Sequence, residues 1–440
     1  MKAVVVGGGA AGMTAASRIR RLQPTWRVEV YEETPYVSHA PCGIPYFVEG
    51  LVRDKDELIT YSPEFFRKKR KIEVFTNSKV LKIDHKAKKL TVLNSGRERE
   101  VSYDKLIIAT GAKPFIPNPK WLEVEKVFTI RHIEDGVSIR KRISKDKEVV
   151  VVGAGYIGIE LSEALRKLGK RVTLVEAMDQ IMPMFDKEVA LDIEEYMSKR
   201  GVKIRKGEKV VDISQRRNGV LVETEKGSYK ADSVILAIGV KPNVDLALMA
   251  GARRGETGAI YVDDRMWTGV EDLYAAGDNV EVLNLVTGRR SYMPLAPLAN
   301  KEGFVAGDNV AGGSLRFPGA VGSAITKFYS LEIGITGISE ANARKLGFKV
   351  KSVYISHSSK AHYYPGSKWI KVKLVVEEGS KRVLGGQIIG LEGVWGRISA
   401  LAIAIQNEVK VSDLFFADIP YAPPFSPVLD PLIVAARVAR

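Results

Sequence analysis

The apolar pattern of the first thirty residues predicts a strand, a tight turn, a helix and a second strand. A β-branched run leads into three glycines in "AVVVGGGAAG", and apolar residues then recur every three to four positions. The next β-branched run, "RVEVYE", ends at the acid Glu32. This strand–helix–strand order is typical of a parallel sheet covered by helices.

The same pattern occurs a second time in residues 149–176, "VVVVGAGYIGIELSEALRKLGKRVTLVE". Each copy is followed by a further similar segment, "YDKLIIATGAKP" at 103–114 and "ADSVILAIGVKP" at 231–242. The duplication therefore covers whole domains. We predict an α/β fold with two nested Rossmann-like dinucleotide-binding domains. Later segments such as "WIKVKLVVE" and "RISALAIAIQNE" predict an additional α+β domain at the C-terminus.

Each predicted turn carries the spacing G-x-G-x-x-G between a strand and a helix. The first glycine permits the tight turn, the second lets the backbone approach a pyrophosphate, and the third lets the helix pack on the strand. An acid follows about 20 residues later in both copies, where a carboxylate can accept ribose hydroxyls. The residues concerned are Gly7, Gly9, Gly12 and Glu32 in the first copy, and Gly153, Gly155, Gly158 and Glu176 in the second. Because a carboxylate repels the 2′-phosphate of NADP, Glu176 favours NADH.

Composition and charge indicate which partners and which cellular location to expect. The net charge is +15, but the basic residues are scattered, which favours an anionic small-molecule partner over nucleic acid. No apolar run approaches the ~18 residues that span a bilayer. The apolar stretch after Met1 is too short for a signal peptide, so we expect a cytoplasmic protein.

The chain has one cysteine, Cys42, in the segment "SHAPCGIPY". A single cysteine excludes an internal disulfide and an all-cysteine metal site. It is either a small buried hydrophobe or a redox thiol. A single thiolate can still reduce a disulfide when the substrate supplies the second sulfur, through a mixed disulfide.

The two glycine fingerprints, "ATG" at 109–111 and "TGVEDLYAAGD" at 268–278 resemble the FAD-dependent pyridine nucleotide–disulfide oxidoreductases. The resemblance extends over essentially the whole chain. It implies an FAD-binding domain at 1–112 and 247–325, an NAD(P)H-binding domain at 113–246, and an interface domain at 326–440 that forms a homodimer.

The resemblance also implies which residues bind the cofactors. Asp278 would hydrogen-bond the ribityl chain of FAD, and Tyr156 and Glu160 would lie beside the nicotinamide. The residues implied for FAD are Gly7, Gly9, Ala10, Ala11, Gly12, Glu32, Glu33, Thr110, Gly111, Gly277, Asp278, Pro294 and Ala296. Those implied for NAD(P)H are Gly153, Gly155, Tyr156, Ile157, Gly158, Glu160, Glu176 and Gly239.

Within that family, the pattern S-x-x-x-C-G-[IL]-P-Y resembles the single-cysteine branch. This branch contains coenzyme A-disulfide reductases, NADH oxidases and peroxidases, and polysulfide or persulfide reductases. The resemblance places Cys42 on a helix that passes the flavin ring. Phe47 stands where the glutathione reductase branch has its second cysteine. Ala10 stands where peroxidases and water-forming oxidases carry a histidine, which argues against peroxide chemistry.

Further positions resemble the coenzyme A-binding residues of that branch. Thr14, Arg18 and Arg21 share one face of the first predicted helix, and Ser38 precedes the cysteine. Arg70 and Lys71 belong to the basic run "RKKRK" at 67–71. The chain departs from the usual pattern at Pro41, where the branch has an asparagine.

The segments "AHYYPG" at 361–366 and "YAPPFSP" at 421–427 resemble the coenzyme A-disulfide reductase signature. There, tyrosines of the second subunit approach the cysteine and protonate or hydrogen-bond the leaving thiolate. The corresponding residues are Tyr421 and either Tyr363 or Tyr364.

The resemblance thus implies an FAD-dependent NAD(P)H:coenzyme A-disulfide reductase, without a metal, a membrane or nucleic acid as partner. An NAD(P)H oxidase and an NAD(P)H-dependent sulfur or polysulfide reductase on the same scaffold stay open as alternatives. A third alternative is a reductase of a protein electron carrier. In that case Cys42 would be dispensable and the basic surface would dock an acidic protein.

Overall fold

The computed structural model describes all 440 residues, and none of its helices is long and apolar enough to cross a membrane. The chain divides into two compact units. The first unit comprises residues 1–44, 52–115 and 240–320, and the second comprises residues 45–51, 116–239 and 321–440. The limits of three domains expected from the sequence stay a prediction.

The chain forms both helices and strands along its whole length. The α-helices are α1 (Ala10–Leu22), α2 (Ile44–Glu49), α3 (Pro63–Arg70), α4 (Ile133–Arg142), α5 (Tyr156–Lys167), α6 (Lys187–Ser198), α7 (Asp245–Met249), α8 (Ala296–Val310), α9 (Glu340–Lys345), α10 (Val394–Gln406), α11 (Val411–Phe415) and α12 (Pro431–Ala439). Short 3-10 helices occupy Pro41–Gly43, Lys55–Leu58 and Pro119–Glu123.

The strands of the N-terminal half are β1 (Lys2–Val6), β2 (Arg27–Tyr31), β3 (Glu73–Phe75), β4 (Ser78–Asp84), β5 (Lys89–Asn94), β6 (Arg97–Ser102), β7 (Lys105–Ile108), β8 (Ala112–Pro114), β9 (Val127–Thr129), β10 (Glu148–Val152), β11 (Arg171–Glu176), β12 (Val202–Lys206) and β13 (Val210–Arg216). Those of the C-terminal half are β14 (Gly219–Thr224), β15 (Gly227–Ala231), β16 (Ser233–Leu236), β17 (Val240–Pro242), β18 (Ile260–Tyr261), β19 (Leu273–Ala275), β20 (Val280–Leu283), β21 (Arg290–Ser291), β22 (Ala324–Phe328), β23 (Leu331–Gly337), β24 (Val350–Ser358), β25 (Trp369–Glu377) and β26 (Val383–Gly390).

The first unit is built on a parallel sheet with the strand order β19-β7-β1-β2-β3. Residues Ala3–Val6 of the central strand are all buried, as expected for a parallel strand covered on both faces. Helix α1 packs against α8 at two glycines. A Cβ on Gly303 would lie 2.2 Å from the backbone oxygen of Ala11, and one on Gly307 would lie 2.5 Å from that of Ala15. The two helices therefore meet backbone to backbone.

The second unit contains an equivalent parallel sheet with the order β12-β11-β10-β16-β9. In both sheets the strand that enters the glycine turn is central, and the strand that ends in the acid lies beside it. The predicted duplication of a Rossmann-like unit is confirmed. The same unit contains an antiparallel sheet with the order β22-β23-β26-β25-β24, on which α10 and α12 pack. This agrees with the predicted C-terminal α+β domain.

Candidate active site

The first glycine turn is shaped by close backbone contacts. A Cβ on Gly7, whose φ is +106°, would lie 2.1 Å from the backbone oxygen of Ala109. A Cβ on Gly12 would lie 1.9 Å from the oxygen of Gly7. By contrast, no atom lies within 4 Å of a Cβ placed on Gly9, which precedes α1. The helix N-terminus therefore faces open space, and this space fits the pyrophosphate of FAD.

Glu32 holds this turn from the end of β2. One carboxylate oxygen accepts a hydrogen bond from the Gly8 N–H at 2.7 Å, and the other accepts from the Thr34 N–H at 2.8 Å. Each oxygen keeps a second lone pair, which can accept a ribose hydroxyl. The carboxylate thus both fixes the loop and remains suited to the adenosine half of FAD.

Further residues expected to bind FAD follow the ends of β7 and β19 in the same sheet. The Thr110 hydroxyl donates to the Asn243 backbone oxygen at 2.8 Å, and the Asn279 amide donates to Thr110 Oγ1 at 3.3 Å. The Tyr292 hydroxyl donates to the backbone oxygen of Asp278 at 2.8 Å. Thr110 and Asp278 stay predictions for FAD, and the residues that hold them, Asn243, Asn279 and Tyr292, lie outside the motifs.

The remaining residues expected for FAD lie in the same unit. Ala10 and Ala11 form the first turn of α1, and Ala296 begins α8 directly after Pro294 and Leu295. Gly111 has a φ of +62°. Glu33 is exposed and its carboxylate lies 3.4 Å from the Lys79 ammonium.

The second glycine turn repeats the first almost contact for contact. A Cβ on Gly153, with a φ of +99°, would lie 2.5 Å from the backbone oxygen of Ala237, and Gly155 again faces open space. Glu176 accepts hydrogen bonds from the Ala154 N–H at 2.7 Å and the Met178 N–H at 2.9 Å. A Cβ on Gly158 would lie 1.9 Å from the oxygen of Gly153. This turn therefore fits a second dinucleotide.

Helix α5 carries the side chains expected beside the nicotinamide. Tyr156 is its first residue, and Ile157 follows. Burial raises the pKa of the Tyr156 hydroxyl, so that it stays protonated at neutral pH. Burial also raises the pKa of Glu160, although the Thr326 hydroxyl, which donates to its carboxylate at 2.7 Å, opposes this shift. Gly239 has a φ of +100° and faces open space.

Cys42 is exposed, and it lies on a helical segment. It occupies the 3-10 helix Pro41–Gly43, which runs directly into α2. The Ile44 N–H bonds to the Pro41 oxygen. Because Pro45 has no N–H, it cannot make the α-helical bond back to Pro41, and the α-helix begins after the cysteine.

The cysteine turn is tied to the first glycine turn within the first unit. The Ser38 N–H donates to the Gly8 oxygen at 2.9 Å, and the Ala40 N–H donates to the Leu58 oxygen at 2.8 Å. A Cβ on Gly43 would lie 2.4 Å from a methyl group of Leu58. These contacts fix the position of the cysteine turn relative to the glycine loop that is expected to hold the pyrophosphate.

The cations expected to bind coenzyme A have different surroundings. The Arg18 guanidinium donates to the carboxylate of the buried Asp308 at 2.9 and 2.5 Å, so it already has an anionic partner in the protein. Arg21 and Lys71 are exposed, Thr14 and Arg70 are half-buried, and Lys71 ends α3 with a φ of +53°. The Arg70 guanidinium lies 5.5 Å from the centre of the Phe65 ring.

Two of the predicted tyrosines are brought together in the second unit. The Tyr363 and Tyr421 hydroxyls lie 3.2 Å apart, although 58 positions separate them in the sequence. The hydrogen bond with Tyr363 raises the pKa of the Tyr421 hydroxyl. Both side chains are exposed, and so is Tyr364. The pair therefore presents phenolic protons at the surface.

The model of the pyridine nucleotide-disulphide oxidoreductase family matches residues 1–303, and the model of that family's dimerisation domain matches residues 323–432. The chain belongs to this family. The expected fold class and family are thus confirmed. Like other pyridine nucleotide-disulphide oxidoreductases, the protein is an NAD(P)H-dependent flavoprotein that uses FAD.

The chain is similar to proteins of this family over its full length. It is 46% identical to the NAD(P)H coenzyme A polysulfide/persulfide reductase of Pyrococcus horikoshii, covering 100% of this chain and 98% of that one. It is 30% identical to the coenzyme A disulfide reductase of Staphylococcus aureus, covering 97% and 96% of the two chains. The solved structure of a NAD-dependent persulfide reductase from A. fulgidus matches with a TM-score of 0.97 and 41% identity, covering 100% of this chain and 83% of that one.

Proposed function

We propose that the protein is a coenzyme A-dependent NAD(P)H reductase of sulfur–sulfur bonds, with coenzyme A disulfide as a substrate and Cys42 as the working thiol. The observation that carries this proposal is the position of Cys42. It is the chain's one cysteine, it is exposed, and its turn is hydrogen-bonded to the FAD glycine turn. The names of the relatives from P. horikoshii and S. aureus support coenzyme A chemistry.

The reaction balances with one thiol. The Cys42 thiolate attacks CoA–S–S–CoA, forms the mixed disulfide Cys42–S–S–CoA and releases one coenzyme A thiolate. Two electrons then reduce the mixed disulfide to the Cys42 thiolate and a second coenzyme A thiolate. FAD, when bound, supplies these electrons after taking a hydride from NAD(P)H. The sum is NADH plus a proton plus coenzyme A disulfide giving NAD⁺ and two coenzyme A thiols.

Coenzyme A carries several phosphates, which call for cations near the thiol. Arg21 and Lys71 are exposed and have no ion pair in the structure, so they are suited to bind phosphate directly. Arg18 is held by Asp308 and would contribute its remaining N–H groups or serve to position α1. Thr14 and Ser38 would add neutral hydrogen bonds.

The leaving coenzyme A thiolate needs a proton or a hydrogen-bond donor. We assign this role to the Tyr363–Tyr421 pair, with Tyr364 as the neighbouring candidate. The raised pKa of Tyr421 keeps its hydroxyl protonated at neutral pH, which suits a donor. The dimerisation domain matched at 323–432 supports a homodimer, in which the tyrosines of one subunit would serve the thiol of the other.

A persulfide or polysulfide is the second candidate acceptor, favoured by the names of the relatives from P. horikoshii and A. fulgidus. The same thiol would act, and reduction of CoA–S–SH by NADH and a proton would give coenzyme A thiol, hydrogen sulfide and NAD⁺. The cations would then hold coenzyme A as the carrier of the sulfur.

The test is anaerobic oxidation of NADH with coenzyme A disulfide as the sole acceptor, for the wild type and Cys42→Ser. We expect turnover in the wild type and a loss of about a hundredfold or more in Cys42→Ser, because serine cannot form the mixed disulfide. Coenzyme A persulfide is assayed in parallel. Tyr364→Phe tests the neighbouring candidate, and it should retain more activity than Tyr421→Phe if the Tyr363–Tyr421 pair is the donor.

The results with the two acceptors and with Cys42→Ser distinguish the candidate functions. Turnover with persulfide but not with coenzyme A disulfide would overturn the leading substrate and retain the second candidate. Turnover that survives in Cys42→Ser would contradict thiol chemistry altogether. Wild-type protein that oxidises NADH with neither acceptor would move the assignment to an oxidase or to a reductase of a protein carrier.

A further inference from the structure

A buried carboxyl that no motif contains lies under the flavin-binding turn. Glu302, on α8, is 2% exposed, and its Oε2 accepts a hydrogen bond from the Gly277 N–H at 2.8 Å. This is the one hydrogen bond that its side chain makes in the structure. Gly277 immediately precedes Asp278, the residue expected to bind the ribityl chain. Glu302 is therefore built into the support of the FAD site.

No cation compensates the charge of this carboxyl. Asp278, on the neighbouring turn, is the charged group that acts on Glu302, and it carries the same sign. The elements packed against α8 are α1, β7 and β19, and α1 approaches it through Ala11 and Ala15. Three of the charged side chains on α1, α8 and β7 have other partners: Arg18 with Asp308, Arg20 with the Pro24 oxygen and Lys105 with Asp272. Arg21 and Lys301 are exposed, and Tyr274 is a half-buried phenol.

Burial, and then the charge of Asp278, raise the pKa of Glu302 to about 8. At neutral pH Glu302 is therefore mostly protonated and adds no second negative charge beside Asp278. The protonated carboxyl still accepts the Gly277 N–H through its carbonyl oxygen, and its O–H becomes available as a donor. A carboxylate in this place would add a second negative charge beside Asp278, close to the first turn of α1, since a Cβ on Gly277 would lie 2.9 Å from the Cβ of Ala11.

We propose that Glu302 is a positioning residue of the FAD site, which in its protonated form holds the Gly277–Asp278 turn for the flavin and on ionisation weakens FAD binding. The direction in which pH changes the affinity for FAD follows from the linkage between proton binding and FAD binding. A bound anion favours the protonated form further, so FAD is held most tightly below pH 8, and its affinity falls as the pH rises above about 8. The fall is limited to tenfold per pH unit for one group.

The test measures retention of FAD rather than turnover. The full-length holoenzyme is diluted, equilibrated between pH 6.5 and 9.5, and free FAD is separated by ultrafiltration and quantified. We expect the dissociation constant of the wild type to be constant up to about pH 7.5 and to rise about fivefold or more by pH 9.5. Glu302→Gln keeps the acceptor for Gly277 but cannot ionise, so its dissociation constant should not change with pH.

Glu29→Gln is the matched control, because Glu29 is another buried carboxylate of the same unit and is paired with Lys2. It should keep the wild-type pH dependence. A wild-type profile without the rise would overturn the proposal, and so would a Glu302→Gln profile that keeps the rise. Loss of FAD from folded Glu302→Gln at pH 7 would also overturn it, because the neutral form would then not suffice.

A second measurement covers the case in which Glu302→Gln does not fold. The infrared carbonyl band of a protonated carboxylic acid is followed from pH 7 to 9.5 in a Glu160→Gln background. This background removes the other carboxyl whose pKa is raised. A band that titrates near or above pH 8 supports the proposal, and its absence contradicts it. Either result is independent of the acceptor at Cys42, because the inference concerns FAD alone.

Discussion

The halves predicted to bind FAD and NAD(P)H contain the same strand–turn–helix unit, but the helices of these units pack against different elements. The glycine turns agree closely, since Gly12 and Gly158 each place a Cβ 1.9 Å from a backbone oxygen and Glu32 and Glu176 each accept two backbone N–H groups. The two units differ in the element that packs against the helix after the glycine turn. Helix α1 packs backbone to backbone on α8, whereas α5 meets strand β22 through polar side chains.

The contacts of α5 are hydrogen bonds and ion pairs. Thr326 donates to Glu160, and the Lys327 ammonium lies 2.6 Å from the buried Glu163 carboxylate. Side-chain contacts of this kind can adjust by rotation about side-chain torsions, whereas two helix backbones in contact cannot move apart without leaving a gap. A tightly enclosed site suits a cofactor that stays bound, and a polar, adjustable site suits one that is exchanged at each turnover. The same glycine fingerprint can therefore serve a cofactor that stays bound or one that is exchanged, depending on the element that packs against its helix.

The largest expected effect comes from matched changes of the first glycine in each turn. Gly7→Ala and Gly153→Ala each place a methyl group within 2.5 Å of a backbone oxygen at a positive φ. We expect Gly7→Ala to lose FAD and to be destabilised by about 3 kcal/mol or more, measured by flavin absorbance and thermal unfolding. Gly153→Ala should keep FAD but be reduced by NADH about a hundredfold more slowly, measured by stopped flow. If Gly153→Ala also loses FAD, the two sites are not independent.

A smaller effect is expected for the acids that follow the two turns. Glu176→Ala leaves the Ala154 and Met178 N–H groups without their acceptor, at a cost of about 1–3 kcal/mol. We expect the KM for NADH to rise about tenfold and the preference for NADH over NADPH to decrease. Asp179→Asn, at a nearby exposed acid, is the control and should change neither. An unchanged KM in Glu176→Ala would contradict the assignment of the second turn to NAD(P)H.

Much of this architecture could be predicted from the sequence because it depends on local chemistry. The glycine spacing, the β-branched runs and the acid after each second strand specify turns, strands and loop contacts within a short segment. Thus "AVVV" is β1 and "VEVY" belongs to β2, and the predicted segment at 369–377 is β25. The resemblance also predicted a helix at Cys42, and Pro45 gives its first turn the 3-10 form before α2 begins.

The contacts that could not be predicted join residues far apart in the chain. Asp308 binds Arg18 across 290 positions, and Glu302 supports Gly277 from a helix with no motif of its own. Such pairs depend on which helices pack together, and periodicity does not specify that. The hydrogen bond between Tyr363 and Tyr421 is of the same kind, although the two segments were each singled out by resemblance.

The smallest expected effect tests the polar backing of α5. Thr326→Val removes the hydroxyl that donates to Glu160, and this hydrogen bond lowers the pKa of a carboxyl that burial raises. Without it, the pKa of Glu160 rises further, so the carboxyl protonates at a higher pH. If Glu160 lies beside the nicotinamide, the acid limb of the pH profile for flavin reduction by NADH moves up by about one unit or less. Thr336→Val, which removes another buried threonine hydroxyl of the same sheet, should leave the profile in place. A shift of the acid limb to lower pH in Thr326→Val would contradict the donor role. Such a shift would mean that the hydroxyl had stabilised the neutral carboxyl, since loss of a hydrogen bond to the carboxylate raises its pKa.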